Sequence, residues 1–326
     1  MRTLPSPENQ RTAYKEAKRR VAAAISAGSI ELDFSDLEDL ADIPANISKA
    51  KSVRNLSLED TCISDLTPLL GMDIYSLDLD DTNVIDLSPL EGMTSLYSLY
   101  FSRTLVHDIG VVRNLPKISS LRMEKTNISD LSPISNLKNL RYLYASGTKI
   151  TDLSPVSSID GLMTLHIGGT NISDLTPLRS QKKISDLNIS GTKVSDLSPL
   201  VGISPLFSPV RNTGLTFYGC ENLPPSIQEV SAKKNPGRSL EVGRIIGASK
   251  ETLDQDAESD FLSDSHLTQR PAPYSFVWIG ETLKAQPHVQ APFDETLASE
   301  IISVVLEKLQ LCLESMVGNE ADYRVE

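Results

Sequence analysis

The chain has 326 residues, enough to bury a sizeable core, either as two ordinary domains or as one elongated domain with an appendage. With 40% apolar, 5% aromatic and 23% charged residues it is neither collagen-like nor disordered as a whole, and its core material is aliphatic. The formal charge of −12 excludes a general binder of nucleic acid, because phosphate contacts need clustered cations, and most of the excess lies between Ser239 and Glu326, with 16 acidic against 6 basic side chains.

The first element is a helix in residues 1–29. Ala13, Ala17, Val21 and Ile25 recur at helical spacing, and Gly28 can end the helix. Its polar outer face suits a lid on whatever follows. The same stretch lacks the apolar run of a secretory signal, and no run in the chain approaches the roughly 18 apolar residues of a membrane span. A cytoplasmic protein is expected, with export by a route that needs no cleavable signal as the alternative.

From residue 30 to 228 one unit returns. Asp65, Asp86, Asp108, Asp130, Asp152, Asp174 and Asp196 follow each other at spacings of 21 and then 22 residues. A Thr stands four residues before each, and an Ile or Val two before. Self-similarity at such a period marks a solenoid of about eight to nine coils. Upstream, the pairs Leu56/Leu58, Leu77/Leu79, Leu99/Phe101, Leu121/Met123, Leu143/Ala145, Leu165/Ile167 and Leu187/Ile189 alternate at period two, the signature of a short strand with these residues facing inward. The Thr hydroxyl can satisfy backbone groups in the bend. The "LSPL" or "LTPL" that follows predicts a brief helical or 3₁₀ return, with Ser or Thr as N-cap and Pro at the first helical position. One copy breaks the rule: in "HDIGVV", Gly110 and Val111 replace Ser-Pro, which loses the cap and keeps the inward residues. Leu32/Phe34 belong to an outlying first coil, and Leu215/Phe217, 28 residues after Leu187, to a looser last one.

The pattern L-x-x-L-x-L-x-x-T-x-I-x-D-L-x-P-L resembles the leucine-rich repeats, and among them the 22-residue class of the bacterial internalins. It uses Thr at the turn where the commoner pattern has Asn. The resemblance implies a right-handed α/β solenoid, with a curved parallel β-sheet on the concave face and short helical returns on the convex one. It also implies a protein-binding role, since internalins are exported proteins that bind host receptors.

Beyond the array, residues 229–271 read as an acidic linker, centred on "SKETLDQDAESDFLSDSH", and residues 272–326 as a small strand plus an amphipathic helix. "YSFVWIGETL" alternates as a strand does. Asp294 can cap a helix running to Met316, with Leu297, Ile301, Val305, Leu309, Cys312 and Met316 on one face. Such a face must pack on the solenoid, on a copy of itself or on a partner.

Motifs for chemistry are missing: there is no P-loop, GxSxG, HExxH or dinucleotide fingerprint. Cys62, Cys220 and Cys312 are widely spaced and expected as free thiols, while His107, His166, His266 and His288 lack partners at ligand spacing. The repeated Asp sits in a turn beside backbone donors, so a structural role is expected of it rather than cation binding. No enzyme, metal or cofactor is therefore expected. What remains is surface. Outward strand residues align across coils, with Glu31, Asp33, Glu59, Asp78 and Asp80 at the start of the array and Tyr100, Arg122, Tyr142, Tyr144 and His166 at its centre. Asp186, Asn188 and Thr216 stand at its end. Tyr and Arg grouped on a rigid sheet are what interfaces use as anchors. The expected function is a non-catalytic module that binds a protein partner through Tyr100, Arg122, Tyr142, Tyr144, His166 and Asn188. The alternative is a sensor or regulator whose C-terminal helix mediates oligomerisation or effector docking.

Overall fold

The computed structural model describes residues 5–208, 213–231, 233, 235 and 237–247, together with the backbone of two strands, 274–279 and 282–287. These divide into two units, 1–257 and 258–326. The first opens with helix α1, Pro7–Ala27. Ser6 caps it by accepting the Asn9 N–H, and Gly28 ends it in the left-handed region at φ 61°. Its buried stripe is Ala13, Ala17, Val21 and Ala24, while Ile25 is 40% exposed. The helical period explains this departure from the expected stripe. At about 100° per residue, Ala24 returns to within about 20° of Ala13, whereas Ile25 lies about 120° away. Arg20 ties the helix to the first coil, donating to both carboxylate oxygens of Asp36 and to the Asp33 carbonyl.

Nine strands follow: β1 (Glu31–Asp33), β2 (Asn55–Ser57), β3 (Ser76–Asp78), β4 (Ser98–Tyr100), β5 (Ser120–Arg122), β6 (Tyr142–Tyr144), β7 (Thr164–His166), β8 (Asp186–Asn188) and β9 (Leu215–Thr216). They form one parallel sheet in sequence order, in register from each coil to the next. Every pair expected to point inward does so: the residues of the seven regular pairs are at most 2% exposed, and Leu32 of the outlying first coil is 6% exposed. Short 3₁₀ turns such as Ser132–Asn136 and Ser154–Ser158 return the chain. Between sheet and turns lies one continuous aliphatic core, which no coil could assemble alone.

Each turn is closed in the same way. The seven Thr hydroxyls, Thr61 to Thr192, are buried and donate to the carbonyl three residues back at 2.6–2.7 Å. The capping residue differs from the one expected. Ser or Thr occupies the first 3₁₀ position, and the preceding Leu takes the cap position without a side-chain bond. The Asp supplies the acceptor instead: Asp130 Oδ1 receives the Ser132 N–H at 2.7 Å and Oδ2 the Ser132 hydroxyl at 2.8 Å. The N–H bond to Oδ1 recurs at Asp65, Asp86, Asp152, Asp174 and Asp196. The hydroxyl bond to Oδ2 recurs at Asp65, Asp86 and Asp196, while the Ser154 hydroxyl joins its own N–H at Asp152 Oδ1. A carboxylate reaches the exposed N–H groups of the next residues as an Asx turn does, leaving the hydroxyl free to donate. The copy with Gly110 keeps its backbone cap, Gly110 N–H to Asp108 Oδ1 at 2.7 Å, and lacks only the hydroxyl bond.

The span read as a linker begins with structure. Helix α2 (Pro225–Gln228) and helix α3 (Gly237–Ile245) fall around and within its start, and Val242 of α3 is fully buried in the solenoid core. Ser239 Oγ accepts the Leu215 N–H at 2.8 Å, covering the open edge of β9. In the second unit, β10 (Tyr274–Ile279) pairs antiparallel with β11 (Thr282–Pro287), so two strands stand where the alternation suggested one. The acidic run 249–266 and the amphipathic helix expected over 294–316 lie outside the described residues. Among the described residues no helix is long and apolar enough to cross a membrane.

Candidate interaction surface

Strand register places Tyr100, Arg122, Tyr144, His166 and Asn188 on one ladder across β4 to β8. Successive side chains of such a ladder stand about 5 Å apart, so each can touch the next. They do. The Arg122 guanidinium carbon lies 4.6 Å from the centre of the Tyr100 ring and 5.5 Å from that of Tyr144, held between two π-faces. His166 meets Tyr144 edge to face at 5.0 Å, and its Nε2 lies 3.2 Å from Asp186 Oδ2. The stack is half-buried, with the Arg122 side chain 39% and the His166 side chain 23% exposed. Burial pushes the Tyr144 phenol above its ordinary range, against the pull of Arg122.

Tyr142 is not part of this stack. It lies on the neighbouring ladder between Ser120 and Thr164, is 9% exposed, and places its phenol oxygen 4.0 Å from the Met163 sulfur. With small residues on both sides, its ring packs down, and it presents little to a partner.

The ladder has a structural task at its ends that its centre gives up. Asp33, Ser57, Asp78 and Asn188 each accept the N–H of the residue two further on, at 2.9–3.4 Å. Tyr100, Arg122, Tyr144 and His166 make no such bond, and they contact one another instead.

The acidic end is coupled to the stack. Asp80 is 2% exposed, accepts the Ser102 N–H, and lies 3.5 Å from an Arg122 nitrogen two coils away. Its neighbour Asp78 accepts the Asp80 N–H, and burial, with Asp80 and Glu59 nearby, raises its carboxyl to about 7. Asp81 and Arg103 form a forked ion pair across the next ladder. The sequence reading grouped Asp78 and Asp80 with the acidic flank. It missed that Asp80 is buried and reaches Arg122, a relation set by register between strands 42 residues apart. Among the described residues no cluster of His, Cys, Asp or Glu could hold a metal ion.

No family model and no curated protein sequence matches the chain. Solved structures do. An internalin (inlF) from Listeria monocytogenes superposes with a TM-score of 0.51 at 27% identity, covering 60% of this chain and 66% of that one. An internalin C2 (inlC2) from the same species gives 0.56 at 26% identity, covering 66% of this chain and 94% of that one. The array is an internalin-like leucine-rich repeat solenoid. The chain thus spans a little under two thirds of the length of the first of these internalins. In the internalin-like solenoid described here, Thr and Asp close every regular coil, so the stacked ladder is the part of the sheet that the repeat itself does not require.

Proposed function

We propose that the protein is a non-catalytic interaction module that holds a protein partner on the concave face of its solenoid, with Tyr100, Arg122, Tyr144 and His166 as anchors. The observation that carries this reading is the exchange of a turn-closing residue for a stacking one on four consecutive coils. The substituted side chains add nothing to coil closure, yet they are pre-packed, aromatic or cationic, and only half-buried. Anchors held in place before binding lose little entropy on association, which makes them effective hot spots. The internalin-like neighbours support an interaction role of the same general kind. Asn188 sits at the margin of the surface, and Tyr142 contributes by packing beneath it.

Partner capture with the full chain as bait tests the proposal. Arg122→Ala with Tyr144→Ala is expected to reduce the retained partner by about thirtyfold, as loss of an anchor worth roughly 2 kcal/mol would. A convex control, Asp174→Asn, is expected to retain it. Equal capture by all three proteins, each still folded by circular dichroism, would rule the concave surface out.

A further inference from the structure

The repeat provides its own internal standard, because an exposed position that differs from its six equivalents does so for a reason other than coil closure. The residue before the repeated Asp is Ser64, Ser129, Thr151, Ser173 and Ser195 in five coils, and Ile85 and His107 in the other two. All seven are exposed. The residues two and three after the Asp are Ser-Pro or Thr-Pro in six coils and Gly110-Val111 in the seventh. These departures fall on two adjacent coils and line one depression of about 310 Å3, together with Asp86 and Asp108.

The chemistry of this notch is specific. Ile85 is 49% exposed, a large aliphatic side chain where five of the other coils show a hydroxyl. Val111 provides a second apolar wall, partly packed on the core. Gly110 carries no side chain beside this carboxylate, where a Cβ would meet Asp108 Oδ1 at 3.2 Å. Asp108 accepts the Gly110 N–H through Oδ1, and the hydroxyl that its counterparts Asp65, Asp86, Asp130 and Asp196 bind through Oδ2 is missing. An open apolar wall thus ends at a carboxylate oxygen with spare acceptor capacity, and Asp86 adds a second negative charge. Among the lining residues there is no Lys or Arg.

We infer that this notch is a binding site for the side chain of a lysine or arginine carried by a protein partner, with the aliphatic stem along Ile85 and Val111 and the cationic head at Asp108. Long basic side chains bury their stems on apolar surface while the head keeps a polar partner, and that is the combination the notch offers. The site lies in the turns after β3 and β4, not on the ladder of Tyr100 and Arg122, so it stands or falls independently of the concave surface.

The test uses capped lysine (N-acetyl-lysine-N-methylamide) titrated into the full chain labelled at Ile and Val methyl groups, with norleucine and glutamate analogues as comparisons. The expected result is a saturable shift of the Ile85 and Val111 methyl signals with lysine, weaker binding with norleucine, and none with glutamate. Asp108→Asn, which keeps the Oδ1 acceptor, is expected to weaken lysine binding about tenfold. Restoring the repeat with I85S, H107S, G110S and V111P is expected to abolish the binding while melting no lower than the native chain. Equal shifts from lysine and norleucine would overturn the inference, as would full lysine binding in Asp108→Asn. If the restored chain fails to fold, the single Asp108→Asn variant still decides.

Discussion

Thr148 donates its buried hydroxyl to the Ala145 carbonyl at 2.7 Å, and the same bond recurs in six other coils. Replacing it with the isosteric Val leaves that carbonyl unpaired in the interior, so Thr148→Val is expected to cost about 1–2 kcal/mol in urea unfolding. Asp78 behaves in the opposite sense. Its folded pKa of about 7 lies above the unfolded value near 4, so between those pH values the folded state holds a proton that the unfolded state releases. Stability from this group therefore falls as pH rises through that window, and the penalty is complete above pH 7. Asp78→Asn keeps the acceptor for the Asp80 N–H and removes the charge. It is expected to raise stability at pH 8 by about 1–2 kcal/mol and to change little at pH 4, as compared urea midpoints would show. Tyr142 belongs to the packing: alanine there is expected to destabilise by about 2–3 kcal/mol and to alter capture only as far as the fold suffers.

At the scale of elements, the ends of the sheet decide whether the array stays folded, because each terminal strand presents unpaired backbone groups and apolar surface. Helix α1 covers the first coil through its small-residue stripe and the Arg20–Asp36 fork. Helix α3 covers the last through Ser239. Gly214 makes the second contact possible: at φ 146° and with Ser239 Oγ only 2.3 Å from where a Cβ would stand, it has no room for a side chain. Gly214→Ala is expected to displace α3, cost about 2 kcal/mol or more, and speed amide exchange at Leu215. The Leu215 N–H, bonded to Ser239, reports this directly. The turn after each strand shows a related economy. Asp60, Asp81, Arg103 and Lys125 hold the left-handed conformation in the early coils, and Gly147, Gly169, Gly191 and Gly219 in the later ones. The backbone there is fixed by the coil, and the residue type follows what the neighbouring ladder needs, as in the Asp81–Arg103 fork.

For the whole molecule, two sets of carboxylates pull stability in opposite directions with pH. The turn residues Asp86, Asp130, Asp174 and Asp196 are held below their ordinary range by bonds to the Ser or Thr two residues on. Their contribution is present above the unfolded pKa and is lost as pH falls through their depressed values. Asp78 contributes the reverse trend above pH 4. Stability of the internalin-like solenoid is thus expected to be greatest near pH 4 and to decline on either side, which urea midpoints measured from pH 2 to 8 would reveal.

The period of 22, the inward pairs and the buried Thr were legible in the sequence because stacking makes neighbouring coils face the same environment, and equal environments select equal residues. Leu143 and Leu165 could be placed without coordinates for that reason. The N-terminal lid was legible as a helix, and its last contact was shifted from Ile25 to Ala24 by the helical period. Tertiary structure alone decided which carboxylate meets which cation, that Tyr142 is buried while Tyr144 stacks, and that Ile85 shares a cavity with Gly110. Those relations depend on side chains some 20 to 40 residues apart sharing a few ångströms. A repeat brings such residues to one face of the sheet or one line of turns, but the rotamer each adopts is chosen by its neighbours.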